Sequence, residues 1–97
     1  MIELADSRLR VLAPMTIANA RALLGAGQAC LRSAQPGGVS ELDLSAVDEV
    51  DSAALSLIFA WLRSAAARGL TLRVLNPPAS LSSLAELYGV SELLPVS

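Results

Sequence analysis

Hydrophobic and polar positions change their period several times along the chain, and each change marks an element. Residues 2–5 (IELA) and 9–13 (LRVLA) have the patterning of short strands, and Asp6, Ser7 and Arg8 between them predict a hairpin turn. Pro14 closes the second run. Thr16 offers a capping hydroxyl, and from there Ile17, Ala20, Leu23, Leu24, Gly27, Cys30 and Leu31 recur at helical spacing to about Arg32. Gln35-Pro36-Gly37-Gly38 breaks the pattern. Residues 39–44 (VSELDL) predict a strand, placed centrally because apolar runs flank it on both sides. An acidic turn (Asp48, Glu49, Asp51) then leads into an apolar helix over residues 51–68, with Gly69 just past its end. Residues 71–75 (TLRVL) are β-branched and aliphatic, a strand signal. Asn76-Pro77-Pro78 turns the chain, Ser80 caps a last helix to Tyr88, and Gly89 follows. Leu93, Leu94 and Pro95 form an apolar tail suited to folding back onto the core.

The expected order is β-β-α-β-α-β-α in a single domain, residues 1–97. Each strand–helix–strand unit is long enough for a right-handed crossover that sets its strands parallel. The fold class that follows is α/β: a small mixed four-stranded sheet with three helices packed mainly on one face, in two layers.

The helix after the acidic turn separates into two faces at 100° per residue. Leu55, Ile58, Leu62, Ala65 and Ala66 group on the side expected to meet the sheet. Ser52, Ser56, Ala60, Arg63 and Ala67 group opposite, with Phe59 on one flank and Leu57 and Trp61 on the other. That outer face is small and nearly uncharged. It reads either as an alanine-rich helix in an alanine-rich protein or as a flat surface for another protein's backbone. Phe59, beside Ser52 on the wheel, is the better candidate for a partner contact; a lone tryptophan is more often core.

Composition narrows the chemistry. Hydrophobic residues make up 54% of the 97, a high share for so small a chain, and surplus apolar surface commonly ends in a partner interface. The longest strongly apolar stretch, residues 53–62, falls well short of the roughly 20 that span a bilayer, and Glu3 and Asp6 precede the first arginine, unlike a signal peptide. The expected location is the cytoplasm. The chain has no histidine and no lysine, and all seven basic residues are arginines. Imidazole catalysis, histidine metal ligation, Schiff-base chemistry and a phosphate-loop lysine are thereby excluded. Cys30 is alone, so neither an intramolecular disulfide nor a multi-cysteine zinc site can form. A formal charge of -2 and three aromatic residues leave no footprint for nucleic acid. The expectation is a protein without catalysis, metal or cofactor.

The strand, acidic turn, Asp-Ser junction and apolar helix of LDLSAVDEVDSAAL resemble the STAS domain family, as does NPPASLSSLAELYGVSELLP with its Leu-Tyr and Leu-Pro pairs. The resemblance extends over residues 39–95; the first 38 residues match only in element order. STAS members include anti-sigma-factor antagonists, the tails of anion transporters and small subunits of lipid transporters. Sigma-type antagonists read Asp-Ser-Ser-Gly-Leu at this junction and are phosphorylated on the second serine. On Asp51-Ser52-Ala53-Ala54-Leu55 that position is Ala53, which accepts no phosphate, and the glycine is Ala54. Asp-hydroxyl-small-small-Leu is instead similar to the MlaB group, small cytoplasmic subunits of the Mla phospholipid transporter.

That resemblance implies docking onto an MlaF-like ATPase, the nucleotide-binding subunit of an ABC transporter, in complex with its membrane permease. The complex would maintain outer-membrane lipid asymmetry, and the domain would lie at the inner membrane through its partner without inserting. The candidate partner-binding residues are Asp51, Ser52, Ser56, Phe59, Ala60 and Arg63. Other readings stand beside this one. Ser52 is a candidate phosphoacceptor in a divergent signalling switch, or a local helix cap with no partner role. Asp48 and Glu49 read first as a solvated turn. Nucleotide binding would rest on helix N-termini and arginines alone, since no glycine-rich phosphate loop is present.

Overall fold

The computed structural model describes residues 1–96. Asp6 and Ser7 both take left-handed backbone angles (φ 52° and 65°), the geometry of a two-residue hairpin turn. They join β1 (Ile2–Ala5) to β2 (Arg8–Val11) in antiparallel register, Leu4 opposite Leu9 and Glu3 opposite Arg10. Arg8, expected in the turn, is instead the first residue of β2. The chain continues through α1 (Ala20–Ser33), β3 (Glu41–Asp43), α2 (Ala53–Ala67), β4 (Arg73–Leu75), α3 (Ala79–Leu87) and a single 3-10 turn, Ser91–Leu93. Sheet order follows chain order, β1-β2-β3-β4, with β2, β3 and β4 mutually parallel. The expected mixed sheet and three helices are therefore present.

Register sorts the sheet into two faces. Leu9, Leu42 and Val74 lie side by side across β2, β3 and β4, and all are buried. Helices α1 and α2 cover that face and α3 packs beside α2. The alternate positions form two cross-strand rows on the opposite face, Arg8–Glu41–Arg73 and Glu3–Arg10–Asp43. Opposite charges adjoin in each row, which suits a face left to water.

Expected boundaries and caps are corrected in several places. The regular ladder of β3 ends at Asp43 and that of β4 begins at Arg73, although hydrogen bonds from Ser40 to Ser7 and from Leu44 to Leu75 continue the pairing irregularly. The second strand ends at Val11 rather than running through Ala13 to Pro14, and beyond Pro14 the chain makes a further isolated bridge. The Met15 N–H donates to the Glu49 carbonyl (2.9 Å) and the Asp51 N–H to the Met15 carbonyl (3.2 Å), which sets the starts of α1 and α2 next to each other. Thr16 does not cap α1: residues 17–19 make a turn first, and Asn19 at the cap position donates its side chain back to the Pro14 carbonyl (2.9 Å). Ser80 does not cap α3, because Pro78, held extended, already supplies the carbonyl that receives the Leu81 and Ser82 N–H groups.

The buried side of α2 is rotated from the expected one. Ala54, Leu55, Leu57, Ile58, Trp61 and Ala65 are buried, while Leu62 is half-buried and Ala66 exposed. Leu57 and Trp61 are thus core rather than outer flank. The reason lies in α1. An ideal Cβ on Gly27 would collide with Trp61 Nε1, so the missing side chain leaves the space that the indole fills. The indole N–H donates to the Leu24 carbonyl (3.3 Å), which gives the one polar atom of a fully buried ring its partner. The tail does fold back: Leu94 is buried, and the Val74 N–H donates to the Pro95 carbonyl (2.9 Å), covering the outer edge of β4.

Candidate functional site: a groove over the second helix

The bridge between Met15 and Val50 delivers Asp51 to the foot of two helices at once. One carboxylate oxygen accepts the Ala53 N–H (2.8 Å) and the other accepts the Ile17 N–H (3.0 Å). Helix starts carry unsatisfied N–H groups, and here one acidic side chain serves α2 and the turn preceding α1. Asp51 is therefore the side-chain cap of α2. Ser52 occupies the first helical conformation (φ -62°, ψ -20°), makes no capping hydrogen bond and is exposed. Its hydroxyl is free to face outward, at the positive end of the helix dipole.

Ser52, Ser56 and Ala60 follow at four-residue intervals and form the floor of an open groove of about 880 Å³. The α1 side of the groove is Ile17, Arg21 and Leu24; Tyr88 and Val90, just after α3, also line it. Half-buried Phe59 completes the floor on the flank away from α1. The turn after α3 depends on Gly89. Its φ of 70° lets the Val90 N–H reach back to the Ala85 carbonyl (2.8 Å) and the Gly89 N–H to Glu86 (3.0 Å). This left-handed ending, strained for any residue with a Cβ, carries Val90 inward and leaves Tyr88 57% exposed at the rim. The groove is predominantly apolar, and Ile17 is 76% exposed within it.

Of the six candidates from the sequence, the fold gathers Asp51, Ser52, Ser56, Phe59 and Ala60 along this groove. Arg63 lies outside its lining, exposed on the next turn of α2. Among the lining residues not foreseen as part of the site are Ile17, Arg21, Leu24, Tyr88 and Val90. Ile17 and Leu24 belong to the apolar stripe of α1, whose buried line is only Leu23, Gly27 and Leu31. A stripe wider than its buried line was the available signal, but only the packing of α1 reveals which edge stays open.

A second, polar pocket of about 480 Å³ lies on the open sheet face around Asp43, Arg8, Arg10 and Asn76. Asp43 is 4% exposed. It accepts hydrogen bonds from the Ser45 N–H (3.0 Å) and the Asn76 amide (3.1 Å), and Arg10 and Arg8 lie 3.8 and 3.9 Å away. Burial alone would raise its carboxyl pKa. The Ser45 and Asn76 hydrogen bonds, with the charge of Arg8, outweigh that and hold it below the ordinary value. Asn76 adopts φ 54° after β4 to reach Asp43, so this cluster ties β3 to the turn after β4. Among the described residues no group of acidic or sulfur side chains is placed to hold a metal ion, and no helix is long and apolar enough to cross a membrane.

The family model described as "Mlab, STAS domain" matches residues 2–95, so the likeness takes in the N-terminal strands as well. The chain belongs to the STAS domain family, of the kind bearing the MlaB description. Among solved structures it is similar to a candidate anti-sigma factor antagonist from Thermotoga maritima, with 18% identity and a TM-score of 0.76 over 99% of this chain and 83% of that one. It is similar also to the anti-sigma factor antagonist SpoIIAA in its unphosphorylated form, with 13% identity, TM-score 0.64, and coverage of 90% and 81%. A third likeness is to murine Solute Carrier 26 family member A9, an anion transporter, with 18% identity and TM-score 0.70 over 88% of this chain and 14% of that one. At these identities the structures speak for the shared fold. No curated protein sequence matches the chain.

Proposed function

We propose that the protein is a non-catalytic accessory subunit that docks, through the groove over α2, onto the ATPase of an ABC-type phospholipid transporter and supports its assembly and activity. The observation that carries this reading is the state of the Asp51-Ser52-Ala53 junction. The hydroxyl at Ser52 is exposed on an apolar groove, it is not consumed as a cap, and the next position is an alanine whose N–H is tied to Asp51. Such a junction offers a static contact. The MlaB description of the matching family model supports the same reading. A partner carbonyl or carboxylate meeting Ser52 would gain a hydrogen bond worth roughly 0.5–1.5 kcal/mol net, and burial of Phe59 and Ile17 would supply the larger part.

The second reading, a signalling antagonist switched by phosphorylation, draws on the fold shared with SpoIIAA and on the accessibility of Ser52. It must place the phosphate on Ser52, the residue next to Asp51 in the chain and hence near like charge. Affinity purification of the tagged protein from its native host in mild detergent separates the two. The accessory-subunit reading expects an ABC ATPase together with its permease in the eluate. Recovery of a serine kinase or an anti-sigma factor in their place would reverse it.

A further inference from the structure

We infer that the segment received by the groove is about two turns of an amphipathic helix of the partner, apolar side inward, with a carboxylate set against Arg21. This inference deepens the docking reading above and rests on it.

The backbone chemistry of the groove decides between a helix and an extended peptide. An extended segment needs a hydrogen-bond partner for nearly every N–H and C=O it buries. Away from the starts of α1 and α2 the groove is walled by helices whose backbone groups are paired within them, and it contains no sheet edge; its polar side chains are few. A helix satisfies its own backbone and needs only an apolar surface. The floor suits it. Ser52, Ser56 and Ala60 stand four residues apart, a row of small side chains against which a ridge of another helix can pack closely. From Ser52 to Ala60 is about 12 Å at 1.5 Å per residue, the span of anchors at i, i+3 or i+4, and i+7.

Charge then fixes the polar part of the partner. Two charged side chains line the groove, Asp51 and Arg21. Both oxygens of Asp51 are occupied by backbone N–H groups. Arg21 is exposed and forms no ion pair among the described residues, where the ion pairs involve Arg8 and Arg10. An unpaired guanidinium at the edge of an apolar groove is complementary to a glutamate or aspartate flanking the partner's apolar anchors.

The test uses the full-length protein and the purified transporter ATPase recovered with it, with affinity measured by calorimetry at low and high salt. Arg21→Glu is expected to weaken binding at least ~10-fold, Arg21→Ala to weaken it less and to flatten its salt dependence, and Ser56→Arg to abolish it by filling the floor. Arg32→Glu makes the same charge change about 16 Å further along α1 and should leave binding unchanged. Reversal of one acidic residue on a surface helix of the ATPase should restore affinity to Arg21→Glu and to no other variant. Unchanged affinity for Arg21→Glu, with Ser56→Arg still disruptive, overturns the inference and leaves the docking reading standing. Absence of binding by the unmodified protein overturns the docking reading itself. Because Arg21 is exposed, equal melting temperatures are expected for its variants.

Discussion

Asp51 and Ser52 are neighbours with opposite duties, and the difference is electrostatic. A carboxylate accepts two N–H groups at once, one from each of two chain segments that begin helices. A hydroxyl beside it is left over. Replacing Asp51 with alanine orphans both N–H groups and should lower stability by about 1–3 kcal/mol, whereas Ser52→Ala should change it by less than ~0.5 kcal/mol. Urea denaturation of the two variants gives the comparison directly; similar losses would contradict the division of roles. On the docking reading proposed above, Ser52→Ala should fold normally and bind the ATPase more weakly. The junction's chemistry was readable from Asp-Ser at a helix start. That the same carboxylate also reaches Ile17 was not, because the two residues are brought together only by the bridge from Met15 to Val50.

At the scale of elements, the contact between α1 and α2 sets how the groove is shaped. Gly27 lets the two helices close over Trp61, and the closure turns Leu57 and Trp61 inward while leaving Ser52, Ser56 and Ala60 outward. Gly27→Ala would force a methyl into the indole and should cost about 1–3 kcal/mol, accompanied by a change in Trp61 fluorescence. Gly25, on the same helix with open space around its Cα, is the control: Gly25→Ala should gain up to ~1 kcal/mol from helix propensity. Thermal melts of the pair should therefore move in opposite directions. A wheel drawn from α2 alone could not place this seam. Its apolar residues cover more than half the circumference, so the buried centre is chosen by what the neighbouring helix lacks.

For the molecule as a whole, the two faces of the sheet have different chemistry, and acid should reveal it. Asp43 is nearly buried on the open face, and its pKa is held below the ordinary value of 3.8. A depressed carboxyl stabilises the fold fully above its unfolded value, and the contribution is lost as pH falls through the folded one. The expected result is an acid limb of the stability curve that steepens below about pH 5 and flattens in Asp43→Asn, with the variant less stable than the parent at neutral pH. Chemical denaturation across that range checks it; a variant with the parent's acid limb would show that Asp43 is not a group that titrates with unfolding.

Periodicity and punctuation determined the elements and their order. Alternation in the first strands, the four-residue recurrences of α1 and α2, and Gly69 and Gly89 past two helix ends are local signals, since helices and turns are governed by residues a few positions apart. They also placed Ser52, Ser56 and Ala60 on one surface, because residues four apart on a helix share a face wherever the helix goes. The tertiary structure decided what depends on residues distant in sequence. Leu24, Ile17 and Arg21 join the groove because α1 lies against α2, and Tyr88 and Val90 because α3 ends there. The caps expected at Thr16 and Ser80 gave way to backbone carbonyls and to Asn19 contacts fixed by Pro14 and Pro78. An N–H takes the acceptor that packing brings nearest, and an apolar edge stays open or closes according to the shape of its neighbour. Neither is encoded within one turn of chain.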